Sequence, residues 1–364
     1  MASLWNNRIT VSLFGEAQGP AIGVIIDNLP PGEHIDITEL RNFMARRSPV
    51  GANARVRRPN DDMIQIMSGL IGGKTTGSPL CAFIQNLDNA PDENTFMPNR
   101  LARPGHADYT GAMRYRGFND PRAGGHLSER LTIPLVFAGA VCGQILERRG
   151  IYCGAHILQI HNIKDKQFDN IKLSREEIIR LRKTKFPVLD SDKADLMKQD
   201  IEKAQSGGES LGGIVECAVI NVPAGVGSPI FDGLENCISQ LIFGIPAVRG
   251  IEFGAGFKCA EMVGSQNNDE FYINDMGHVV TKTNNHGGIL GGISSGMPIV
   301  LRVAFKPSPT IAKAQDTVDY GAMENATLKP SGNVNPCIVP MAVPCVESAV
   351  NIAILSNMLD YPNF

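Results

Sequence analysis

The chain has 364 residues, 43% of them hydrophobic and 20% charged, with a formal net charge of -3. That is enough apolar material for a large core in one or two intimately packed domains. The slightly acidic balance excludes a general attraction for nucleic acid, so an anion site must come from local clustering of arginines. The eight cysteines are scattered without a Cys-x-x-Cys pair, and several stand inside apolar runs. They read as buried free thiols of a reducing compartment, with no metal site. No leader or uninterrupted apolar run of membrane-spanning length is apparent, so the expected location is the cytoplasm, with no membrane partner.

Along the chain, Ile9, Val11 and Leu13 alternate before a glycine-rich turn at Gly15–Gly19 and a second run at 21–26, which predicts a hairpin. Asp36 and Thr38 open a helix through Leu40, Phe43 and Met44 that breaks at Ser48-Pro49. Between 41 and 58 lie Arg41, Arg46, Arg47, Arg55, Arg57 and Arg58, with no acidic residue among them. A solvated basic loop is one reading; the proline and glycine between the arginines favour an anion clamp or lid. Next comes Arg103-Pro104-Gly105-His106-Ala107-Asp108, followed by Arg114, Arg116, Arg122 and Arg130. One imidazole among many guanidinium forks suits a small polyanion that must also exchange a proton.

Residues 132–147 predict an apolar helix whose Ala138, Gly139, Ala140 and Gly143 permit close packing. The Lys-, Asp- and Glu-rich stretch 163–206 reads as exposed helices around a turn at Phe186-Pro187, a solvated insertion without chemistry. A strand at Gly212–Val222, a helix at 231–243, a strand at Ala247–Phe253 and a helix from Cys345 to Leu359 complete a mixed α and β fold with long functional loops.

Five blocks then stand out together: Arg103–Asp108, Gly124-Gly125-His126-Leu127-Ser128-Glu129-Arg130, Gly227–Asp232, Thr283–Ser294 and Phe305-Lys306-Pro307-Ser308-Pro309. In order, and across nearly the whole chain, they resemble the chorismate synthase family. The resemblance implies a single α+β domain over 1–364 with a helical layer between two antiparallel sheets, assembled as a homotetramer. It also implies anti-1,4-elimination of phosphate and a ring hydrogen from 5-enolpyruvylshikimate 3-phosphate to give chorismate, the last common step of aromatic biosynthesis. Reduced FMN is needed without net redox change; whether this chain reduces it with NADPH or an external reductase does so stays open.

By the same resemblance, the substrate falls to Arg46, Arg47, Arg103, Ser128 and Arg130. The flavin falls to Arg47, His126, Leu127, Ser128, Ala247, Gly291, Lys306, Pro307, Ser308, Pro309, Thr310 and Asn333, and His106 protonates the reduced flavin system. The chain also departs from the family. The motif Gly-Glu-Ser-His-Gly is here Gly15-Glu16-Ala17-Gln18-Gly19, and Gly-Arg-His-Asp-Pro-Cys is Gly332-Asn333-Val334-Asn335-Pro336-Cys337. Pro-Arg-Ala is Pro340-Met341-Ala342, and Ser48, Val50 and Ala255 also differ. Catalytic histidine and aspartate positions thus hold the amides of Gln18 and Asn335, which do not titrate. Two expectations follow: a chorismate synthase whose acid–base work centres on His106, or a paralogue that keeps the fold and flavin pocket with impaired or changed chemistry.

Overall fold

A computed structural model describes residues 3–48, 64–86, 100–328 and 335–362. Alternating residues build a first antiparallel meander of β1 (Leu4–Asn6), β2 (Thr10–Gly15) and β3 (Ala21–Asp27). Asp36 then accepts hydrogen bonds from the amides of Thr38 and Glu39 at 2.7 and 2.9 Å. These bonds satisfy two otherwise unpaired donors and start α1 (Ile37–Ala45). After β4 (Ile64–Ile66) and the small hairpin β5 (Leu70–Ile71) and β6 (Lys74–Thr75), β7 (Leu80–Gln85) completes a sheet of order β1-β2-β3-β7-β4.

Next in the chain are α2 (Asp108–Tyr115), α3 (Thr132–Arg148), β8 (Tyr152–Ile160), β9 (Ile163–Lys164), α4 (Arg175–Arg182) and α5 (Ser191–Ser206). They are followed by β10 (Gly213–Ile220), α6 (Leu234–Phe243), β11 (Val248–Phe253) and the single turn α7 (Gly264–Asn267). Two hairpins, β12 (Phe271–Ile273) with β13 (Val279–Thr281) and β14 (Ile289–Leu290) with β15 (Ile293–Ser294), precede β16 (Ile299–Phe305). A third hairpin, β17 (Gln315–Asp319) with β18 (Glu324–Leu328), leads to α8 (Val339–Met358). The second sheet has the order β11-β16-β10-β8-β9.

Helices α3 and α8 lie between the sheets, as expected: α3 packs on β2, β3 and β7, while α8 packs on β8, β10 and α3. One cluster of buried apolar side chains runs from Trp5 to Met358 through both layers. A Cβ built on Gly139 would lie 2.1 Å from the Ser348 Cβ, so a bare α-carbon sets the spacing of α3 and α8. The stretch Arg122–Arg148 and α8 are long and apolar enough to cross a membrane by length and composition, and both are buried inside the protein. Within α8, Glu347 is fully buried and receives both terminal guanidinium nitrogens of Arg46, together with the Ala155 amide at 2.9 Å.

Three expectations are corrected. Helix α8 starts at Val339, six residues before Cys345. Pro340 falls in the first turn, where its missing N–H has no helical partner, and burial overrides the defect at Pro344. The 163–206 stretch is not simply solvated. Ile178 and Leu181 of α4 are fully buried with Phe168, Ala218 and Val300, so this segment covers the outer face of the second sheet. Beneath it the fully buried His156 ring lies between Glu216 (Nε2 to Oε2, 3.0 Å) and Asp165 (Nδ1 to Oδ2, 3.3 Å). Finally, Cys259 is exposed and Cys81 partly so, whereas the other six cysteines are buried.

Candidate active site

The segment 100–102 runs alongside β17, with the Ala102 amide donating to the Val318 carbonyl (3.1 Å) and the Tyr320 amide to the Arg100 carbonyl (3.0 Å). The chain then turns sharply back. Asp108, at the start of α2, accepts from the Arg103 amide (3.0 Å), Nε (2.7 Å) and Nη2 (2.7 Å). Inside this turn the His106 Nε2 lies 2.6 Å from the Thr310 hydroxyl, and Lys306 Nζ donates to the Gly105 carbonyl at 2.6 Å. Gly105 has φ +75°, and a Cβ there would come within 2.8 Å of the Pro309 Cβ, so no larger residue fits. The blocks 103–108 and 306–310, two hundred residues apart, therefore form one wall.

The second wall is the turn 119–128, where Ala123, Gly124 and Gly125 all have positive φ (49°, 84° and 54°). This tight left-handed path brings Gly124 beside Arg103 and frames a cavity of about 150 Å³ with His106, Asp108, Leu127 and Tyr320. The loop that carries Gln18 closes on the same turn: the Ala17 amide donates to Gly125 O (3.0 Å), and His126 Nδ1 lies 2.7 Å from Gly15 O. The other ring nitrogen of His126 is hydrogen-bonded to the Ser3 hydroxyl. Asn86 ties Arg130 to the Gln18 loop. Its Oδ1 accepts from Arg130 Nε and Nη2 (3.2 and 2.7 Å), and its Nδ2 donates to Gly19 O (2.5 Å). Ser128 caps the short helical turn that carries Arg130.

Electrostatics follow from this packing. Burial, then the adjacent Arg103 guanidinium, pushes His106 down to about 4, against the pull of Asp108, so the imidazole is neutral near pH 7. Burial raises Asp108, but the Arg103 guanidinium more than offsets it and leaves this carboxyl below its usual range. Lys306 is lowered by burial and by Arg249 nearby.

Arg46 is turned to Glu347, and Arg47 donates from Nε to the Thr132 hydroxyl (2.6 Å) and from Nη2 to Glu129 O (2.8 Å). The absence of acids between 41 and 58 thus missed a partner three hundred residues away. Ala247, with φ +71°, accepts the Lys306 amide at 3.0 Å, and the Ser308 carbonyl accepts the Ser210 hydroxyl at 2.6 Å. Pro307 is exposed. Gly291 is exposed in the β14–β15 turn, whose Gly292 packs on Ser228 and Gly233. The Asn335 Oδ1 accepts the Cys337 amide (3.2 Å), and its Nδ2 lies 3.4 Å from the buried Met341 sulfur. Asn333, Val50, Arg55, Arg57 and Arg58 lie outside the described residues. Sequence reasoning did not single out Asp108, Asn86 or Tyr320. Asp108 stood within the motif two residues past His106, whereas Asn86 and Tyr320 carry no local signal.

The chorismate synthase family profile matches residues 9–359. The chorismate synthase of Thermococcus kodakarensis is 43% identical over 352 residues, 96% of each chain. That of Korarchaeum cryptofilum is 39% identical over 360 residues, 98% of this chain and 97% of its own. A crystal structure of chorismate synthase superposes with a TM-score of 0.77 at 27% identity, covering 98% of this chain and 93% of its own. By sequence and by fold, the chain belongs to the chorismate synthase family.

Proposed function

We propose that the chain catalyses the reaction of its family, the elimination of phosphate and a ring hydrogen from 5-enolpyruvylshikimate 3-phosphate to give chorismate, with reduced FMN as cofactor. The observation that carries this reading is the wall in which Arg103, His106 and Lys306 meet, held by the His106–Thr310 and Lys306–Gly105 hydrogen bonds. Arg103 and Arg130 bind the carboxylates and phosphate of the substrate. With its Nε2 engaged by Thr310, His106 has Nδ1 left to hold or move a proton. A bound trianion offsets the Arg103 charge that helps hold His106 neutral, and so brings its titration towards the working pH. The neutral amides of Gln18 and Asn335 exchange no proton.

The flavin fits the residues present. Lys306 and Arg249 stand close enough that their repulsion lowers Lys306, a strain that an anionic group between them relieves. Beside them the left-handed Ala247 and the run Pro307–Thr310 offer a rigid backbone edge. When bound, reduced FMN supplies electron density to the breaking carbon–oxygen bond. The enzyme works as a homotetramer in the cytoplasm, consistent with exposed Phe257, Phe271, Ile273 and Met276 and with its free cysteines. Its flavin is reduced by NADPH or by an external reductase. A second reading, a paralogue with changed chemistry, is favoured by the Asn335 amide standing against Met341. An anaerobic assay with the phosphorylated substrate and chemically reduced FMN decides between them. Chorismate production supports the family reaction, and flavin binding without chorismate supports the paralogue.

A further inference from the structure

Asp108 receives three N–H groups of Arg103, its amide, Nε and Nη2, on two carboxylate oxygens. This closes residues 103–108 into a ring with His106 inside it. The guanidinium is locked through its Nε–Nη2 edge, which leaves Nη1 and the second Nη2 hydrogen to address the cavity beside Gly124. Arg130 also donates to the Oδ1 of Asn86. A carboxylate does something an amide cannot: it opposes the charge of Arg103 where the histidine feels it. The groups that face His106 are Arg103 and Asp108 from its own loop, Lys306 and Thr310 from the opposite run with Arg249 behind Lys306, and Tyr320 across the cavity. Among the described residues Asp108 is the acid whose charge acts on His106; Asp120, which lines the same cavity, is paired with Arg122.

We propose that Asp108 is a positioning residue of this site, which fixes the plane of the Arg103 guanidinium for a substrate anion and balances its charge so that His106 can take a proton. The proposal rests on the reading of the site given above. A purely structural alternative is that Asp108 serves only as an acid in the first turn of α2, where a carboxylate favours the helix dipole.

The test is a comparison of wild type, Asp108→Asn, Asp108→Glu and Arg103→Lys in the substrate-free protein. The His106 ring signal, identified among the seven histidines by its loss in His106→Asn, is followed by NMR against pH, and inorganic phosphate binding is followed by calorimetry. Asp108→Asn lowers the His106 midpoint below that of wild type and weakens phosphate about tenfold, the scale of one charge-assisted hydrogen bond. Asp108→Glu restores the titration, because the charge returns, but not the phosphate affinity, because the fork is displaced. Arg103→Lys keeps the charge, loses the fork, and weakens phosphate without moving the titration. A folded Asp108→Asn with unchanged His106 midpoint and phosphate affinity overturns the proposal. If Asp108→Asn does not fold, Asp108→Glu and Arg103→Lys behaving like wild type in both measurements overturns it. A wild type that makes no chorismate refutes the reading of the reaction; the titration and phosphate measurements still decide the role of Asp108.

Discussion

Arg46→Ala distinguishes a structural arginine from a substrate arginine. Glu347 is fully buried, and its partners are the two terminal nitrogens of Arg46 and the Ala155 amide. Truncating Arg46 leaves a buried carboxylate with one amide and the field of Arg182, which lies near enough to Glu347 for its own pKa to be raised in part by that charge. Breaking a buried pair from one side costs about 3–5 kcal/mol, and the Arg182 field places the expected loss near the lower end, about 3 kcal/mol. Replacing both partners by apolar residues, Arg46→Met with Glu347→Leu, removes the stranded charge. That double variant is left with the unsatisfied Ala155 amide, a deficit of about 1 kcal/mol. Urea unfolding followed by the fluorescence of the single, buried Trp5 reads both values, alongside KM for the phosphorylated substrate. If Arg46→Ala is within about 1 kcal/mol of wild type while KM rises tenfold, the guanidinium serves the substrate and the reasoning fails.

Burial works against a charged His156, but Asp165 and Glu216 outweigh it and raise its pKa. The resulting stabilisation is complete below the ordinary histidine value of about 6.5 and is lost as pH rises through the higher folded value. Protection of α4 against hydrogen exchange, relative to the intrinsic base-catalysed rate, should therefore fall at alkaline pH, and His156→Leu should flatten that dependence; equal protection at pH 6 and pH 9 contradicts it. Gly139→Val forces α3 from Ser348 and should cost about 3 kcal/mol or prevent folding, as thermal melting will show. Lys306→Met should weaken anaerobic FMN binding about tenfold by calorimetry, and an unchanged affinity removes Lys306 from the cofactor site. Met341→Arg alone buries an unpaired guanidinium at a position 3.4 Å from Asn335, whereas adding Asn335→Asp supplies a partner. The double variant should melt higher than the single one.

Legibility in the sequence followed the range of each cause. The hairpin of β2 and β3, the Asp36 cap and α3 were readable because alternation, capping and helical periodicity act within a few residues. The start of α8 was not, since Pro340 and Pro344 act locally as breakers and only burial between two sheets overrules them. The 163–206 stretch deceived in the same way: its charges are abundant, but Ile178 and Leu181 share one face spaced three apart and press on the sheet. In the site, the 103–108 motif was evident from composition. The hydrogen bond of His106 to Thr310, across 204 residues, and the tether of Arg130 to Asn86, across 44, were not, because neither leaves a mark at either end.

Helix α8 follows every strand of both sheets in chain order, yet it fills the space between them. During synthesis, the apolar inner faces of β8 and β10 and the flank of α3 leave the ribosome before the helix that will cover them. A nascent chain stalled near residue 338 would present those faces to its neighbours. Chaperone dependence should accordingly peak late in translation and fall abruptly once residues 339–358 have emerged.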